Sequence, residues 1–232
     1  MRVVIVGAGP AGLLFSLLAK RRYPSWRVEV VEQNLEGATY GFGVVFSEGA
    51  LAFLERDEPQ LSNTMQAAME RWPMQRIVHR DERVDIDGNG FSAIGRLALQ
   101  EILRNLCCNA GVRIEYGRVV TALDELAGAD IVVGADGSNS LVRAALHAQF
   151  QPKIELLTNR FAWYGTTQPF DCLTLTFRRN EHGAFVAHHY RHAQAMSTFV
   201  VECDEVTWKR AGLGRMDDAQ SRAYCERVFA PD

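Results

Sequence analysis

A glycine-rich turn near the amino terminus has the spacing of a phosphate-binding loop. It comprises Gly7, Ala8, Gly9, Pro10, Ala11 and Gly12, in the pattern G-x-G-x-x-G. In such a loop the first glycine allows a tight turn, the second lets the backbone approach a pyrophosphate, and the third permits close packing of helix on strand. Because a helix start presents unpaired backbone N–H groups, the loop favours an anionic ligand.

A carboxylate follows the turn at the spacing that dinucleotide-binding proteins use to bind ribose. Glu32 lies about 20 residues beyond Gly12, with Gln33 beside it, and a carboxylate there accepts hydrogen bonds from ribose hydroxyls. If the glycines served only the backbone of a turn, there would be no reason for a strand, a helix and a carboxylate to lie at these spacings around it. The sequence therefore predicts a dinucleotide site.

A second candidate motif follows an apolar segment in the middle of the chain. Asp136 and Gly137 end this segment, and Ser138 or Ser140 would cap a helix that follows. Beside the first turn, Asp136 would accept hydrogen bonds from cofactor hydroxyls or ordered water. A turn that only leads into a capped helix explains the same residues equally well. Spacing alone leaves both interpretations open.

Alternating strands and helices must position these residues. Residues 2–6 form an apolar run typical of a buried parallel strand, residues 10–22 have helical leucine spacing, and residues 27–32 form a second strand. Two parallel strands joined in this way require a right-handed crossover. Further predicted elements are a helix at 48–56, a helix at 96–110, strands at 112–116 and 130–134, and a helix at 138–148.

The pattern changes after about residue 153, where polar and apolar residues alternate. Such alternation predicts a mostly antiparallel sheet. The predicted elements are strands at 161–166, 171–177, 184–190 and 197–203, a final helix at 217–229, and an earlier hairpin at 73–87 that turns at Asp81-Glu82. The predicted domains are therefore interleaved: a nucleotide domain of residues 1–70 and 94–153, and a sheet domain of residues 71–93 and 154–232.

Composition excludes several classes of function. The 232 residues carry 25 basic and 28 acidic side chains, a net charge of −3, which gives no basic field for nucleic acid or an anionic membrane. The six histidines and five cysteines show no metal-ligand spacing, and the scattered cysteines indicate reduced thiols. No signal peptide and no apolar run of about 20 residues is present, so we expect a cytoplasmic protein.

Two motifs together resemble the FAD-dependent aromatic hydroxylases typified by para-hydroxybenzoate hydroxylase. They are the glycine turn and Gly-Ala-Asp-Gly-x-x-Ser-x-Val-Arg at residues 134–143. The resemblance implies an α/β fold in which a Rossmann-like FAD-binding domain is interleaved with a mostly antiparallel β-sheet substrate domain. It implies FAD as cofactor, NAD(P)H as co-substrate, and hydroxylation of an aromatic ring with O₂. It also implies that Arg96 reaches the FAD, whereas a solvated cation at a helix start is the alternative.

Four further segments resemble hydroxylases of salicylyl-CoA and 2-aminobenzoyl-CoA and a hydroxylase of the violacein pathway. They begin at Tyr40, Trp163, Ala187 and Ser197. The resemblance implies that Val44 and Val45 lie near the flavin ring and that Val119 gives backbone contacts to adenine. It implies an aromatic small-molecule substrate, with a CoA thioester as one candidate form.

One motif of that family has no counterpart in this sequence. The family carries a Gly-Asp motif downstream of the sheet domain, and none occurs before Asp232. We therefore expect the chain to be C-terminally truncated relative to the family. Two interpretations follow: the amino-terminal portion of a monooxygenase completed by the remaining C-terminal part of a longer chain, or a non-catalytic nucleotide-binding fragment. An NAD(P)-dependent dehydrogenase is the third alternative, against which the 134–143 motif argues.

The candidate catalytic residues lie on the predicted strand 184–190. Alternation along a strand places His188 and Tyr190 on one face and Ala187 and His189 on the other. His188 would accept a phenol or amine proton, because histidine changes its charge near neutral pH. Tyr190 would orient the substrate through its hydroxyl group. A half-exposed strand histidine beside a packed tyrosine is the equally weighted alternative.

Overall fold

The computed structural model describes all residues from Met1 to Asp232, in eleven strands and eight α-helices. The strands are β1 (Arg2–Val6), β2 (Arg27–Glu32), β3 (Gly43–Ser47), β4 (Glu70–His79), β5 (Glu82–Gly95), β6 (Arg113–Tyr116), β7 (Ile131–Gly134), β8 (Arg160–Thr166), β9 (Leu173–Asn180), β10 (Gly183–Ala193) and β11 (Met196–Cys203). The helices are α1 (Pro10–Arg22), α2 (Glu48–Asp57), α3 (Pro59–Ala67), α4 (Arg96–Asn109), α5 (Leu141–Ala145), α6 (His147–Phe150), α7 (Glu205–Arg210) and α8 (Asp218–Val228). None of the helices is long and apolar enough to cross a membrane.

The chain divides into two compact units, and each is made of two segments. The first unit contains residues 1–40 and 97–155, and the second contains residues 41–96 and 156–232. The sequence prediction assigned residues 41–70 to the nucleotide domain, whereas the structure groups them with the second unit. The reason is that β3 pairs with β5 over Gly43–Ser47, and β5 belongs to the large sheet.

The first unit is built on a four-stranded parallel sheet in the order β6-β2-β1-β7. Residues 3–6 of β1 and 28–31 of β2 are buried, as the continuous apolar runs predicted. Helix α1 follows β1 directly, begins at Pro10 and buries Leu13 and Leu17. The predicted bounds of β1, α1 and β2 are all confirmed. This arrangement places the glycine turn at the carboxyl end of the first strand.

The second unit is built on a seven-stranded sheet in the order β3-β5-β4-β9-β10-β11-β8. Every neighbouring pair is antiparallel except β4 with β9, which confirms the mostly antiparallel prediction. Phe185, Ala187 and Val201 pack on one face against Tyr224 and Phe229 from the carboxyl-terminal end of the chain. This packing forms the main core of the unit.

The other face of the same sheet carries a smaller core. Trp72, Ala93 and Tyr190 are buried there, with Val45 packed against them. Ala187 and Tyr190 therefore lie in different cores, which confirms that odd and even positions of β10 face opposite sides. The strand alternation that the sequence predicted is the physical basis of this division.

Several elements differ from the sequence prediction. Strand β3 lies within a glycine-rich segment for which no strand was predicted, and α3 and α7 were not predicted either. The hairpin is longer than expected and turns at Arg80 and Asp81, both of which have positive φ angles. The single helix expected at 138–148 is instead two short helices, α5 and α6.

Candidate functional site

The glycine turn joins β1 to α1 in a conformation that depends on two of its glycines. Gly7 has a φ angle of +104°, and a Cβ atom at this position would overlap the backbone of Ala135. A Cβ atom at Gly12 would overlap the carbonyl oxygen of Gly7. Both glycines are therefore required by the packing of the loop itself.

Gly9 has no such requirement. Its φ angle is −68°, and an added Cβ atom would meet no protein atom within 4 Å. No side chain caps α1 at this residue, so the N–H groups of the first helical turn have no side-chain acceptor. The space in front of Gly9 is therefore open, and the neighbouring donors suit a phosphate group.

Glu32 lies at the end of β2 and contacts the loop directly. One carboxylate oxygen accepts a hydrogen bond from the Ala8 N–H at 2.8 Å, and the other accepts from the Asn34 N–H at 2.8 Å. Gln33 beside it is exposed. The Asn34 side-chain amide also donates to this carboxylate, at 2.7 Å. The carboxylate is thereby fixed beside the open space, and the oxygen that accepts from Ala8 has a lone pair left for a ligand hydroxyl.

The Asp136-Gly137 turn lies next to the glycine turn in the first unit. The Gly7 position touches the backbone of Asp136, and Gly137 has a φ angle of +81°. The Asp136 carboxylate accepts hydrogen bonds from the Ser140 hydroxyl at 2.6 Å and from the Leu141 N–H at 2.6 Å. Ser140 in turn caps α5. The geometry thus shows the helix-capping role, while a contact of Asp136 with a cofactor stays a prediction.

Val119 belongs to the same unit as the glycine turn. The Arg118 N–H donates to the Glu32 carbonyl oxygen at 2.9 Å, so the segment after β6 runs beside the end of β2. Val119 is 58% exposed, and its backbone contact with adenine stays a prediction. The structure therefore brings together the glycine turn, Glu32, Val119 and Asp136 at the carboxyl ends of neighbouring strands. This is where open α/β sheets bind ligands.

The remaining predicted residues lie in the second unit. Val44 and Val45 are half-buried on β3, and the Arg96 N–H donates to the Phe42 carbonyl oxygen at 2.8 Å. The Arg96 guanidinium group lies 5.6 Å from the centre of the Trp163 ring, within the range of a cation–π contact. Arg96 is thus held by an aromatic ring rather than freely solvated.

The two candidate catalytic residues have different surroundings. The side chain of His188 is 38% exposed, and its Nε2 atom lies 3.7 Å from a carboxylate oxygen of Glu202. Tyr190 is buried beside Trp72, and its hydroxyl donates to the Gly43 carbonyl oxygen at 2.9 Å. Burial raises the pKa of the Tyr190 phenol. These surroundings match the alternative of a half-exposed histidine beside a packed tyrosine, and the catalytic roles stay predictions.

Two residues beside Tyr190 were not singled out from the sequence. Thr198 and His192 are buried and contact each other and the start of β3. Thr198 falls within the segment that begins at Ser197 and carries part of the family resemblance. No sequence signal marks His192, because its contact with β3 depends on the folded sheet.

The first unit has a parallel sheet and a strand–glycine turn–helix arrangement of the kind that dinucleotide-binding proteins use. The family model described as lycopene cyclase protein matches residues 2–188, and the chain belongs to this family. The chain is 36% identical to a salicyloyl-CoA 5-hydroxylase from a Streptomyces species, over 99% of this chain and 46% of that protein. It is 34% identical to the protodeoxyviolaceinate monooxygenase of Chromobacterium violaceum, over 99% of this chain and 62% of that protein.

A solved structure shows the same fold at lower sequence identity. It is pqsL of Pseudomonas aeruginosa, described as a probable FAD-dependent monooxygenase, with a TM-score of 0.67 at 16% identity. The match covers 98% of this chain and 70% of that one. Together with the curated monooxygenases, it confirms the predicted resemblance to flavoprotein monooxygenases and the predicted fold class. The chain spans about half to three-fifths of the length of those curated relatives.

Proposed function

We propose that this chain is the FAD-binding portion of a flavin-dependent aromatic monooxygenase that uses NAD(P)H and O₂. The observation that carries the proposal is the open space at Gly9 beside the fixed Glu32 carboxylate, in a chain whose curated relatives are monooxygenases along 99% of its length. The family model named for a cyclase ends at residue 188, whereas those relatives match the rest of the sheet unit as well. A monooxygenase therefore accounts for more of the chain than a cyclase does.

The residues of the first unit fit the adenosine diphosphate part of FAD. The N–H groups at the start of α1 would bind the pyrophosphate, and Glu32 would accept hydrogen bonds from a ribose hydroxyl. When bound, a flavin accepts reducing equivalents from a nicotinamide and activates O₂ for transfer of oxygen to a ring. The roles left to the protein are binding, orientation, movement of protons and exclusion of water. Contacts of Val44, Val45 and Arg96 with the flavin belong to the same proposal.

The proposed substrate is an electron-rich aromatic ring. One curated relative is named for a CoA thioester of salicylate, which supports a thioester as the form of the substrate. His188 would take the phenol or amine proton; its imidazole is 38% exposed, and its Nε2 atom lies 3.7 Å from a carboxylate oxygen of Glu202. Removing that proton makes the ring more reactive towards oxygen transfer.

We also propose that this chain works with the remaining C-terminal part of a longer chain, in the cytoplasm. Support for the first point is a run of large, exposed apolar side chains beyond α6. Ile154, Leu156, Leu157 and Phe161 are between 65% and 88% exposed, which is unusual for side chains of this type in one segment. Support for the second point is that all five cysteines are free thiols.

The function is tested by loading the protein with FAD and supplying NADPH or NADH with salicyloyl-CoA as the probe. We expect oxidation of the nicotinamide that depends on FAD, with a hydroxylated ring among the products. Glu32→Ala should weaken FAD binding by about 1–3 kcal/mol, the scale for leaving a ligand hydroxyl unpaired. Glu36→Ala is the matched control, because Glu36 lies in the same unit but pairs with Arg104. Equal FAD affinity in both variants would contradict the assignment of the ribose site.

A further inference from the structure

We propose that Tyr190, Thr198 and His192 act as positioning residues, which hold the Gly43 peptide so that the valines after it are placed for the flavin ring. The inference rests on the proposed function, because it assumes that Val44 and Val45 contact a flavin. It assigns Tyr190 a role through the backbone of β3, in place of direct contact with a substrate.

Two side chains from neighbouring strands bind the two polar groups of Gly43. The hydroxyl oxygen of Thr198 on β11 accepts a hydrogen bond from the Gly43 N–H at 3.0 Å. The hydroxyl group of Tyr190 on β10 donates to the Gly43 carbonyl oxygen at 2.9 Å. Both contacts are buried, so water does not compete for them.

His192 completes the arrangement behind Thr198. Its Nδ1 atom lies 3.0 Å from the Thr198 hydroxyl oxygen. A hydroxyl group has one proton and two lone pairs, so it can accept from the Gly43 N–H and still form a hydrogen bond with the ring in either tautomer of the neutral imidazole. Burial lowers the pKa of His192, in agreement with a neutral ring.

The residue that is held must be glycine. Gly43 is buried, and a Cβ atom there would overlap the imidazole ring of His192. The histidine thus packs directly against the backbone at the first residue of β3. Gly43 is fixed by a donor contact, an acceptor contact and a packing contact, and the next residues of the strand are Val44 and Val45.

The same sheet contains a matched threonine–histidine pair whose hydrogen bond does not involve Gly43. The Thr176 hydroxyl lies 3.0 Å from Nε2 of His189, and Thr176 and Thr198 are both completely buried. Replacing either threonine by valine removes one buried hydroxyl group beside one buried histidine. The two variants therefore impose similar local damage on the sheet, and only the Thr198 variant removes a contact to Gly43.

The test compares FAD with ADP, because ADP lacks the flavin. Both ligands are titrated against the wild type, Thr198→Val, Tyr190→Phe and Thr176→Val, and amide hydrogen exchange is measured over residues 40–47. In Thr198→Val and Tyr190→Phe we expect FAD affinity to fall by about 5–10-fold, the scale of one buried hydrogen bond, with ADP affinity unchanged. Amide exchange at Gly43 should accelerate in Thr198→Val. In Thr198→Ser, both the FAD affinity and the exchange rate at Gly43 should return to those of the wild type. Thr176→Val should leave the FAD affinity and the exchange rate at Gly43 unchanged.

Two results would overturn the inference. One is unchanged exchange at Gly43 together with unchanged FAD affinity in Thr198→Val. The other is an equal loss of FAD affinity in Thr176→Val, which would show a general effect of damage to the sheet. If the wild type binds FAD no more tightly than ADP, the proposed function fails instead, and exchange at Gly43 still decides whether Thr198 holds that peptide.

Discussion

At the scale of single residues, the three glycines of the phosphate-binding turn have different physical requirements. Gly7 and Gly12 are needed because side chains there would overlap the protein, whereas Gly9 faces open space. A motif match by itself treats all three as equivalent. The structure therefore separates a glycine that the protein's own packing does not require from two glycines that it does require.

This difference predicts opposite outcomes for two alanine variants. Gly9→Ala should retain the melting temperature of the wild type and lose most of its affinity for FAD, because its methyl group would occupy ligand space. Gly12→Ala should lose stability by about 1–3 kcal/mol, since its methyl group is forced against the Gly7 carbonyl. Thermal unfolding and FAD titration of both variants check this. Unchanged FAD binding in a stable Gly9→Ala protein would mean that no phosphate approaches this residue.

A buried histidine predicts how stability depends on pH. His189 packs against the rings of Phe170 and Phe199, at centroid distances of 4.2 and 5.0 Å, and burial lowers its pKa to about 4. The His189 imidazole therefore binds a proton more readily in the unfolded chain than in the folded chain. The contribution of His189 to stability is complete above about pH 6.5 and is lost as the pH falls towards about 4.

The expected loss over that interval is about 2–3 kcal/mol for this one group. Denaturant unfolding between pH 7 and pH 4 measures it, with His189→Leu as the test variant and His147→Gln as the control. His147 is exposed on α6, so the control should keep the slope of the wild type. A slope in His189→Leu equal to that of the wild type would assign the acid sensitivity to other groups.

At the scale of elements, the success of the sequence prediction depended on whether local pattern or distant pairing forms the element. Strand β1, helix α1 and strand β2 were predicted with their bounds, because their apolar periodicity is continuous and local. Strand β3 was missed because its segment is rich in glycine. What makes it a strand is pairing with β5, as between Val44 and Ile94, and no local pattern records that partner.

The residues of the candidate site likewise fall into two groups: those that local spacing predicts and those that depend on contacts between distant parts of the chain. The glycine turn and Glu32 could be predicted, because their spacing along the chain follows from a strand, a helix and a second strand. The contacts of Thr198 and Tyr190 with Gly43 join residues 155 and 147 positions apart. A single sequence does not show such contacts. Trp163 beside Arg96 belongs to the same class.

The start of helix α5 allows a further prediction. Asp136 accepts hydrogen bonds from the Ser140 hydroxyl and the Leu141 N–H, so Asp136→Ala should destabilise the first unit by about 1–2 kcal/mol, as loss of a helix cap does. Ser138→Ala is the control on the same turn. A melting temperature equal to that of the wild type would contradict the capping role. A loss of FAD affinity in the folded variant would add a cofactor contact to that role.

At the scale of the whole molecule, the two units carry different parts of the proposed function. The first unit carries the proposed site for the adenosine diphosphate part of the cofactor, at the carboxyl ends of its parallel strands. The second unit has the sheet with the proposed proton acceptor His188 and with the residues around Gly43. Because the net charge is only −3, the protein has no strong overall electrostatic field, and we expect local contacts at the ligand sites to determine which small molecules bind.

The measurement that tests the central claim most directly is a titration of the purified chain with FAD and with NAD, followed by fluorescence. The glycine turn alone is compatible with either dinucleotide, whereas the monooxygenase relatives and the Asp136-Gly137 turn favour FAD. We expect FAD to bind at least about ten-fold more tightly than NAD, a difference of about 1.4 kcal/mol. Tighter binding of NAD, or no binding of FAD, would contradict the proposed function.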